Sequence, residues 1–437
     1  MPQSHHSHSG QFCKHATGTL EDVVLEAIRQ RFDTFGLTEH VPRYRPQDLY
    51  PEEEGIPLDT LRAQFDAFLI EAHRLKMKYA DQITLLVGLE TEFITQTDMD
   101  ELDALLAASG GRVEYLVGSV HHVRGIPIDF DQDTFLKCLD SFRSPAPTAL
   151  TQSTPASTSE EHDAMETFLC AYFDAQHELM RCFHPEVIGH FDLCRLYRPA
   201  LRFADYPAAL ALIRRNVRFA ATYGALFELN AAAFRKGWDA AYPGADIVEI
   251  ILQEGGRFVL SDDSHGPHAV GLNYHRIPEY ARRVGIAELW ALERQSDTGL
   301  NAAGRRLVPR RITSPWEHPF WTRERGTSER YARKTTTWMA MRAHAFAVPT
   351  NRKSVAVAVD ALAHVLNQVS SSSCAAVGLH AGSMVKHLRM NARVARKSLH
   401  TASSSPDDAS DASYEYNASQ TERSSEAAFA VPKHPAL

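Results

Sequence analysis

The stretch Ser4-His5-His6-Ser7-His8-Ser9-Gly10 lies near the start of this 437-residue chain and decides how the remaining sequence is interpreted. In an extended segment, His6 and His8 occupy positions i and i+2. Their imidazoles then leave the same face of the strand about 7 Å apart along the backbone and can converge on one ion. An isolated His-Ser run at a terminus is more often a solvated tail or an expression tag, so the pair needs support from elsewhere in the sequence.

That support comes from five later segments, each short and mostly apolar and each ending on His, Glu or Asp. They cover residues 35–40, 85–90, 116–121, 187–190 and 258–265 and end at His40, Glu90, His121, His190, and Asp263 with His265. Segments of helical periodicity, such as residues 20–32 with Thr19 as the cap, 58–79, 208–223 and 280–292, alternate with these strand-like segments, which predicts an α/β protein with a parallel sheet. Six to seven such units are enough to close a barrel, in which functional groups lie at the carboxyl ends of the strands.

Composition narrows the class of protein further. The chain is 44% hydrophobic and carries a formal net charge of -8, which fits a globular protein and argues against a general nucleic-acid binder. It has no run of about eighteen uncharged apolar residues and no secretory signal, so we expect a soluble, cytoplasmic protein without membrane contact. The six cysteines lack CxxC spacing and predict reduced, mostly structural thiols. Histidine is therefore the candidate metal ligand.

Two segments depart from the strand and helix pattern. Residues 144–159 are dense in Ser, Thr, Pro and Ala, which predicts a disordered insertion. Residues 330–397 contain eleven Lys or Arg and one acid, and residues 401–437 are rich in Ser, Ala and Asp. The basic run fits a nucleic-acid patch, but a solvated extension or sequence foreign to the fold is the favoured interpretation. We predict a metal-dependent domain over residues 1–322 and a low-complexity, mostly disordered tail over residues 323–437.

The candidate ligands indicate the chemistry. Neutral imidazoles and carboxylates suit Zn, Mn or Fe, and so many of them suggest more than one ion, which a carboxylate can bridge. Clustered divalent ions lower the pKa of bound water and stabilise charge on phosphoryl oxygens, as phosphate-ester hydrolysis requires. Arg235 and Lys236 follow a strand that ends at Asn230, and arginine can bind phosphate oxygens bidentately. On spacing alone, solvated loop charges fit these two residues equally well.

With these residues assembled, the chain resembles the polymerase-and-histidinol-phosphatase (PHP) family, and within it the fungal-type histidinol-phosphatases. The motifs that carry the resemblance are His6-Ser7-His8-Ser9-Gly10, Leu37-Thr38-Glu39-His40, Gly88-Leu89-Glu90, Gly118-Ser119-Val120-His121-His122, Ile188-Gly189-His190-Phe191-Asp192, Glu228-Leu229-Asn230, Arg235-Lys236-Gly237 and Ser261-Asp262-Asp263-Ser264-His265-Gly266. The resemblance covers roughly residues 1–322. It implies a distorted seven-stranded β/α barrel with a trinuclear metal centre.

The resemblance also implies roles for particular residues. The first ion would be held by His6, His8, Glu90 and Asp263. The second would share Glu90 and be held by His121 and His190, and the third by His15, His40 and His265. Glu90, Asp263 and His265 would be the catalytic residues, and the phosphate would be bound by Arg235, Lys236 and a second arginine, Arg198. The implied reaction is the hydrolysis of a small molecule, L-histidinol phosphate, to L-histidinol and phosphate, with the oligomeric state left open.

Two other classes of function remain as alternatives. One keeps the metal site and changes the substrate, as in another PHP-type phosphoesterase or an amidohydrolase-like enzyme that acts on C–N bonds, for which a His-x-His start is also expected. The two basic residues after Asn230 favour phosphate over this alternative. The other class is a non-catalytic metal-binding module. Such a module is expected to have lost ligands, whereas all nine ligand positions here hold an acceptable residue.

Overall fold

The computed structural model of the chain describes residues 2–143, 158–295 and 299–322. The predicted tail over residues 323–437 lies outside the described residues. So does the predicted insertion over residues 144–159, except for its last two residues, which begin a helix. In the described part, no helix is long and apolar enough to cross a membrane.

Short strands alternate with helices along the described residues, as the sequence predicts. The strands are β1 Gln3–Ser4, β2 Ser7–His8, β3 Thr34–Leu37, β4 Thr84–Glu90, β5 Tyr115–Gly118, β6 His122–Val123, β7 Ile126–Pro127, β8 Val187–Ile188, β9 Leu226–Asn230, β10 Arg257–Ser261, β11 Ser264–His265, β12 Trp290–Arg294 and β13 Leu307–Arg311. The helices are α1 Leu20–Arg29, α2 Leu58–Lys78, α3 Gln96–Ser109, α4 Gln132–Asp140, α5 Thr158–Phe183, α6 Pro207–Tyr223, α7 Ala232–Arg235, α8 Ala245–Gln253 and α9 Ile277–Val284.

Seven parallel strands form the body of a curled sheet. Their order is β1-β3-β4-β5-β8-β9-β10, and β12 and β13 continue the sheet beyond β10. The curl brings the first and seventh strands together. Next to β1, the backbone N–H of His5 donates to the carbonyl of Leu260 in β10 at 3.2 Å. The predicted fold class, a distorted β/α barrel, is confirmed. All seven strands run in the same direction, so their carboxyl ends meet at one end of the barrel.

The two faces of these strands enter two separate apolar clusters. One face packs on the helices in the large outer core, to which β4 contributes Leu85, Val87 and Leu89. The opposite face forms a smaller inner cluster, whose members are Leu86, Tyr115, Val117, Val187, Leu226, Val259, Leu292 and Leu307. Side chains alternate between the faces of a strand, so Glu90 lies on the same inner face as Leu86. The barrel interior therefore changes from apolar at one end to charged at the other.

Tyr115 fills the barrel interior below the charged end. Its side chain is fully buried, and its hydroxyl donates to the carbonyl of His5 at 2.8 Å. Glycine is required beside it on two neighbouring strands. A Cβ at Gly36 would clash with the Tyr115 hydroxyl, and one at Gly88 would lie 2.7 Å from ring atom Cε1.

The helices cover the outside of the sheet. As predicted, Thr19 caps α1, since its hydroxyl accepts from the backbone N–H of Asp22 while the Asp22 carboxylate accepts from the backbone N–H of Thr19. The sequence predicts a further helix over residues 280–292, which is wrong in its second half. Helix α9 ends at Val284, and the residues from Trp290 onward form β12, which pairs with β10 and β13. This hairpin adds Leu292 and Leu307 to the inner cluster.

Candidate metal centre

Strand ends place the candidate ligands around one point. Glu90 is the last residue of β4, and an isolated bridge pairs it with His40 on the neighbouring chain segment. His8 ends β2 and pairs in register with His265 of β11. His6 precedes β2 and is fully buried. Backbone pairing thus brings together residues that are up to 257 positions apart in the sequence.

The carboxylate of Glu90 lies at the centre of this cluster. Five imidazole nitrogens are within 3.4 Å of it, and they divide between its two oxygens. Around Oε1 are His190 Nε2 at 2.9 Å and His121 Nε2 at 3.2 Å. Around Oε2 are His40 Nδ1 at 2.9 Å, His6 Nε2 at 3.2 Å and His8 Nε2 at 3.4 Å. A carboxylate with a separate group of imidazoles on each oxygen has the arrangement expected of a bridge between two ions.

Pairs of imidazole nitrogens face each other within these groups. His6 Nε2 and His8 Nε2 are 3.0 Å apart, and His121 Nε2 and His190 Nε2 are 3.3 Å apart. Two facing ring nitrogens cannot both carry a proton at this distance, so at least one nitrogen of each pair presents a lone pair. When both rings of a pair present neutral nitrogens, the pair can bind one divalent metal ion.

Asp263 borders the first group on its more exposed side. Its Oδ1 lies 3.8 Å from His6 Nε2, 3.7 Å from His8 Nε2 and 3.6 Å from His265 Nδ1. The backbone of Asp263 is in the left-handed region with φ 46°, a conformation that costs free energy in a residue other than glycine. Its carbonyl oxygen accepts from His265 Nδ1 at 3.0 Å.

A third group lies next to the first two. It consists of His15, His40 and His265, together with Cys13, and one ligand atom from each side chain is within 4.8 Å of the others. His15 is the most exposed of the nine predicted ligands, with 40% of its side chain accessible to solvent. The structure therefore places all nine predicted ligands in one contiguous cluster.

The electrostatics of the cluster favour positive charge near Glu90. Burial would lower the pKa of His6, but the carboxylates of Glu90, Glu228 and Asp263 raise it well above its usual value. Burial would likewise raise the pKa of Glu90, but the surrounding histidines, His6 first and then His121, hold it well below its usual range. The carboxylate is thus ionised within a field that stabilises cations.

A second layer of carboxylates orients the ligand histidines. Glu228 Oε1 is 2.8 Å from His6 Nδ1, and Glu92 Oε2 is 3.0 Å from His121 Nδ1. When such a ring is neutral and its Nδ1 carries the proton of this contact, its Nε2 presents a lone pair toward Glu90. Histidine ligands in metal sites are commonly fixed by such partners.

Two buried histidine nitrogens bear on whether a metal ion fits this cluster. His40 Nε2 and His190 Nδ1 are buried and have no hydrogen-bond partner within the described residues. A buried nitrogen without a partner lowers the stability of the folded protein. At His40, where Nδ1 already faces Glu90, an ion bound to Nε2 would remove this cost. The donor set, rich in imidazole with two carboxylates, suits divalent transition metals.

Comparison with known proteins identifies the family. The PHP domain family matches residues 4–232. A Schizosaccharomyces pombe protein described as a probable histidinol-phosphatase is 44% identical over 300 residues, which cover 68% of this chain and 91% of that protein. The chain belongs to the PHP domain family. A histidinol-phosphatase of Saccharomyces cerevisiae is 30% identical to this PHP protein over 351 residues, 73% of this chain and 98% of the relative.

A solved structure also resembles this PHP protein. It is a histidinol phosphate phosphatase from Lactococcus lactis in complex with zinc, L-histidinol and phosphate. The TM-score is 0.45 at 17% identity, and the match covers 66% of this chain and 96% of that chain.

The three predicted phosphate-binding residues lie in different surroundings in the PHP domain. Arg235, the last residue of α7, is half-buried and its guanidinium donates to the carbonyl of Asp263 at 3.5 Å, so it borders the metal centre. Lys236 follows it and is exposed. Arg198 is 41% exposed, and its guanidinium lies 3.7 Å from the Glu161 carboxylate. Within the described residues, Arg198 thus pairs with Glu161 and not with a candidate metal ligand.

Sequence reasoning did not assign a role to four further side chains of this centre. They are Cys13, Glu39, Glu92 and Glu228. Glu228 could have been found, because it alternates with Asn230 on the inner face of a strand whose end carries Arg235 five residues later. Glu39 and Glu92 each lie one or two residues from a predicted ligand, but a carboxylate at such a position is as often a solvated loop charge.

Proposed function

We propose that this chain is a phosphomonoesterase that hydrolyses L-histidinol phosphate to L-histidinol and phosphate in histidine biosynthesis, using three divalent ions of Zn, Mn or Fe. The convergence of nine metal-ligand side chains at the carboxyl end of a PHP barrel carries this proposal. The substrate follows from the histidinol-phosphatase relatives, of which this chain covers more than nine-tenths.

We assign the nine ligands to three sets, which three of the overlapping close groups of ligand atoms support. His6, His8, Glu90 and Asp263 would hold the first ion. Glu90, His121 and His190 would hold the second, and His15, His40 and His265 the third. When bound, divalent ions supply an acidified water nucleophile and stabilise the charge of the transferring phosphoryl group.

The protein groups beside the ions bind and orient the substrate. Arg235 is a permanent cation at the edge of the centre, and it can bind two phosphate oxygens through its planar guanidinium. Lys236 and Arg198 are assigned to the same phosphate, Arg198 after release from Glu161. The Asp263 side chain is 13% exposed, against 1% for Glu90, so it can accept a hydrogen bond from the attacking water and orient it.

His265 and Glu90 complete the set of catalytic residues in this proposal. The Nδ1 of His265 donates to the carbonyl of Asp263, which keeps its Nε2 free for the third ion. Glu90 would contribute one oxygen to each of two ions, because its oxygens face different groups of histidines.

Phosphate release from a panel of phosphorylated metabolites tests the function. We expect L-histidinol phosphate to exceed every other ester by at least about tenfold in kcat/KM. Activity should vanish after chelation and return with Zn or Mn. A matched control is Glu178→Gln, which removes an exposed partner of Arg181 and should leave the rate unchanged. A tenfold preference for another ester, or hydrolysis of C–N bonds instead, would replace the proposal with one of its alternatives.

We also propose the extent and the location of the enzyme. Residues 1–322 would form the phosphatase domain, since each predicted ligand lies at or before His265. The cytoplasm is supported by the cysteines, because Cys13, Cys138, Cys170, Cys182 and Cys194 are free thiols and such thiols persist in a reducing compartment.

A further inference from the structure

Cys13 is the one sulfur ligand in the candidate metal groups of the described residues. Its side chain is buried, with 6% of the residue exposed, and its Sγ lies 3.2 Å from His15 Nε2. A short turn fixes this position, because the backbone N–H of Cys13 donates to Ser9 at 2.9 Å and its carbonyl accepts from Ala16 at 3.2 Å. The sulfur therefore belongs to the loop that also presents His15.

The three histidines around this sulfur all have Nδ1 engaged elsewhere. His15 Nδ1 lies 3.1 Å from Glu52 Oε1, and His265 Nδ1 donates to a backbone carbonyl at 3.0 Å. His40 Nδ1 lies 2.9 Å from Glu90, and its Nε2 is buried without a hydrogen-bond partner among the described residues. Three Nε2 lone pairs are thus available to one ion, and Cys13 Sγ faces one of them.

The spacing of these atoms fits a tetrahedral site. Zinc–sulfur and zinc–nitrogen bonds of about 2.3 and 2.0–2.1 Å place tetrahedral sulfur and nitrogen ligands about 3.6 Å apart. The observed Cys13–His15 separation is 3.2 Å, and ligand atoms of all four side chains lie within 4.8 Å of one another. Small shifts of these side chains would bring them to bonding geometry.

Charge gives a second reason for a sulfur ligand. The first and second groups each contain a carboxylate, whereas His15, His40 and His265 are neutral as ligands. A thiolate would give the third ion an anionic ligand of its own. Its formation releases one proton to solvent as the sulfur–metal bond forms, so the step is balanced without any other reactant.

We propose that Cys13 is the fourth protein ligand of the third ion, as a thiolate, and that it makes this site selective for zinc. The inference rests on the three-ion site of the proposed function. Soft thiolate ligands favour zinc over manganese or magnesium, so the third site would keep zinc while the other two, built from nitrogen and oxygen, exchange more freely. The alternative is a neutral Cys13 thiol that donates a hydrogen bond to His15 Nε2.

Cobalt substitution of the full chain distinguishes these two arrangements. A thiolate bound to Co²⁺ gives a sulfur-to-metal charge-transfer absorption in the near ultraviolet, which imidazole and carboxylate ligands do not give. We expect this band in the wild-type protein with three equivalents of Co²⁺, its loss in Cys13→Ser and Cys13→Ala, and its retention in Cys138→Ser. Cys138 is another buried cysteine, whose Sγ donates to the carbonyl of Val123 and which belongs to none of the metal groups of the described residues.

Zinc stoichiometry gives an independent measurement. Cys13→Ser should weaken the third zinc by at least about tenfold, so a chelator that leaves three ions on the wild type leaves two on the variant. If the Cys13 variants do not fold, X-ray absorption at the zinc edge of the wild type decides the question through a sulfur neighbour at about 2.3 Å. A wild-type protein without the cobalt band or the sulfur neighbour, or a band that persists in Cys13→Ala, overturns the inference.

Phosphate release from L-histidinol phosphate is measured on the same samples. Activity without a sulfur–metal bond refutes the role of Cys13 and leaves the proposed function intact. A sulfur–metal bond in a protein without this activity supports the role of Cys13 and refutes the proposed function.

Discussion

Replacement of Glu228 by Gln should weaken metal binding without leaving a cavity in the barrel interior. Glu228 Oε1 faces His6 Nδ1 at 2.8 Å, while Oε2 accepts from the backbone N–H of His190 at 2.9 Å and from Asn230 Nδ2 at 3.0 Å. All partners of the carboxylate are donors when His6 binds metal through Nε2. Glutamine has the same shape but only one acceptor oxygen, so one side must meet its amide N–H₂ group.

Either orientation of the glutamine amide removes a favourable interaction. If its oxygen faces His6, the amide N–H₂ opposes the His190 N–H and a buried donor loses its partner. If the oxygen faces His190, the amide donates to His6 Nδ1 and moves the His6 proton to Nε2, which removes a metal lone pair. Loss of such a partner typically costs 10–100-fold in metal affinity, equivalent to about 1.4–2.7 kcal/mol.

Competition with a chromophoric chelator measures this loss as a zinc affinity. Thermal unfolding of the metal-free protein checks that Glu228→Gln is folded, and Glu178→Gln serves as the exposed control. Saturating zinc should restore most of the phosphatase rate in the variant. An affinity within twofold of the wild type in a folded Glu228→Gln protein would refute the tautomer argument.

Four further outcomes are expected. Glu90→Gln should reduce the metal content from three ions to one, because two ions would share this carboxylate; elemental analysis that finds three ions contradicts the bridge. Arg235→Ala should raise KM for L-histidinol phosphate by at least about tenfold with unchanged metal content. An unchanged kcat/KM would show that Arg235 is a solvated loop charge without a role in phosphate binding. Burial lowers the pKa of His5 from 6.5 to about 4. The free energy of unfolding of the metal-free protein should therefore fall by about 3 kcal/mol as the pH falls from 6.5 to below about 4. Urea unfolding of His5→Gln should show a correspondingly flatter pH dependence over the same range, and an unchanged slope contradicts it. A chain that ends at Arg325 should keep its activity within about twofold, and a larger loss would show that the later residues support the barrel.

The clustering of the candidate ligands could be predicted from the sequence for a physical reason. Parallel strands share one carboxyl edge, so residues that end separate strands, such as Glu90 and His190, must meet there. The i and i+2 spacing of His6 and His8 then fixes their common direction. Regular backbone patterns thus convert sequence positions into neighbours, and the chain order of the ligands did not matter.

Features that depend on irregular backbone or on tertiary pairing could not be predicted in this way. Cys13 reaches the third group through a turn closed by Ser9, which has no periodic signature. The residues of β12, Trp290–Arg294, include good helix formers, yet pairing with β10 and β13 makes them a strand. Tertiary contacts commonly override local propensity in this manner. The carboxylate Glu228 could be placed at the site from its motif and strand position, but its partner, His6, is identified only by their 2.8 Å separation in the folded chain.

Tyr115, Gly36 and Gly88 constrain one another across three strands, and this limits how the sequence can vary. An alanine at position 36 would clash with the Tyr115 hydroxyl, and one at position 88 would meet both the ring and the backbone carbonyl of Tyr115, while a smaller residue at 115 leaves a void beneath the histidines. A viable change at positions 36 and 115 therefore needs two simultaneous substitutions, with each single step destabilising. These two positions should covary among distant relatives, whereas glycine at position 88 is required by the backbone of the neighbouring strand, and a designer who repacks this barrel should keep it.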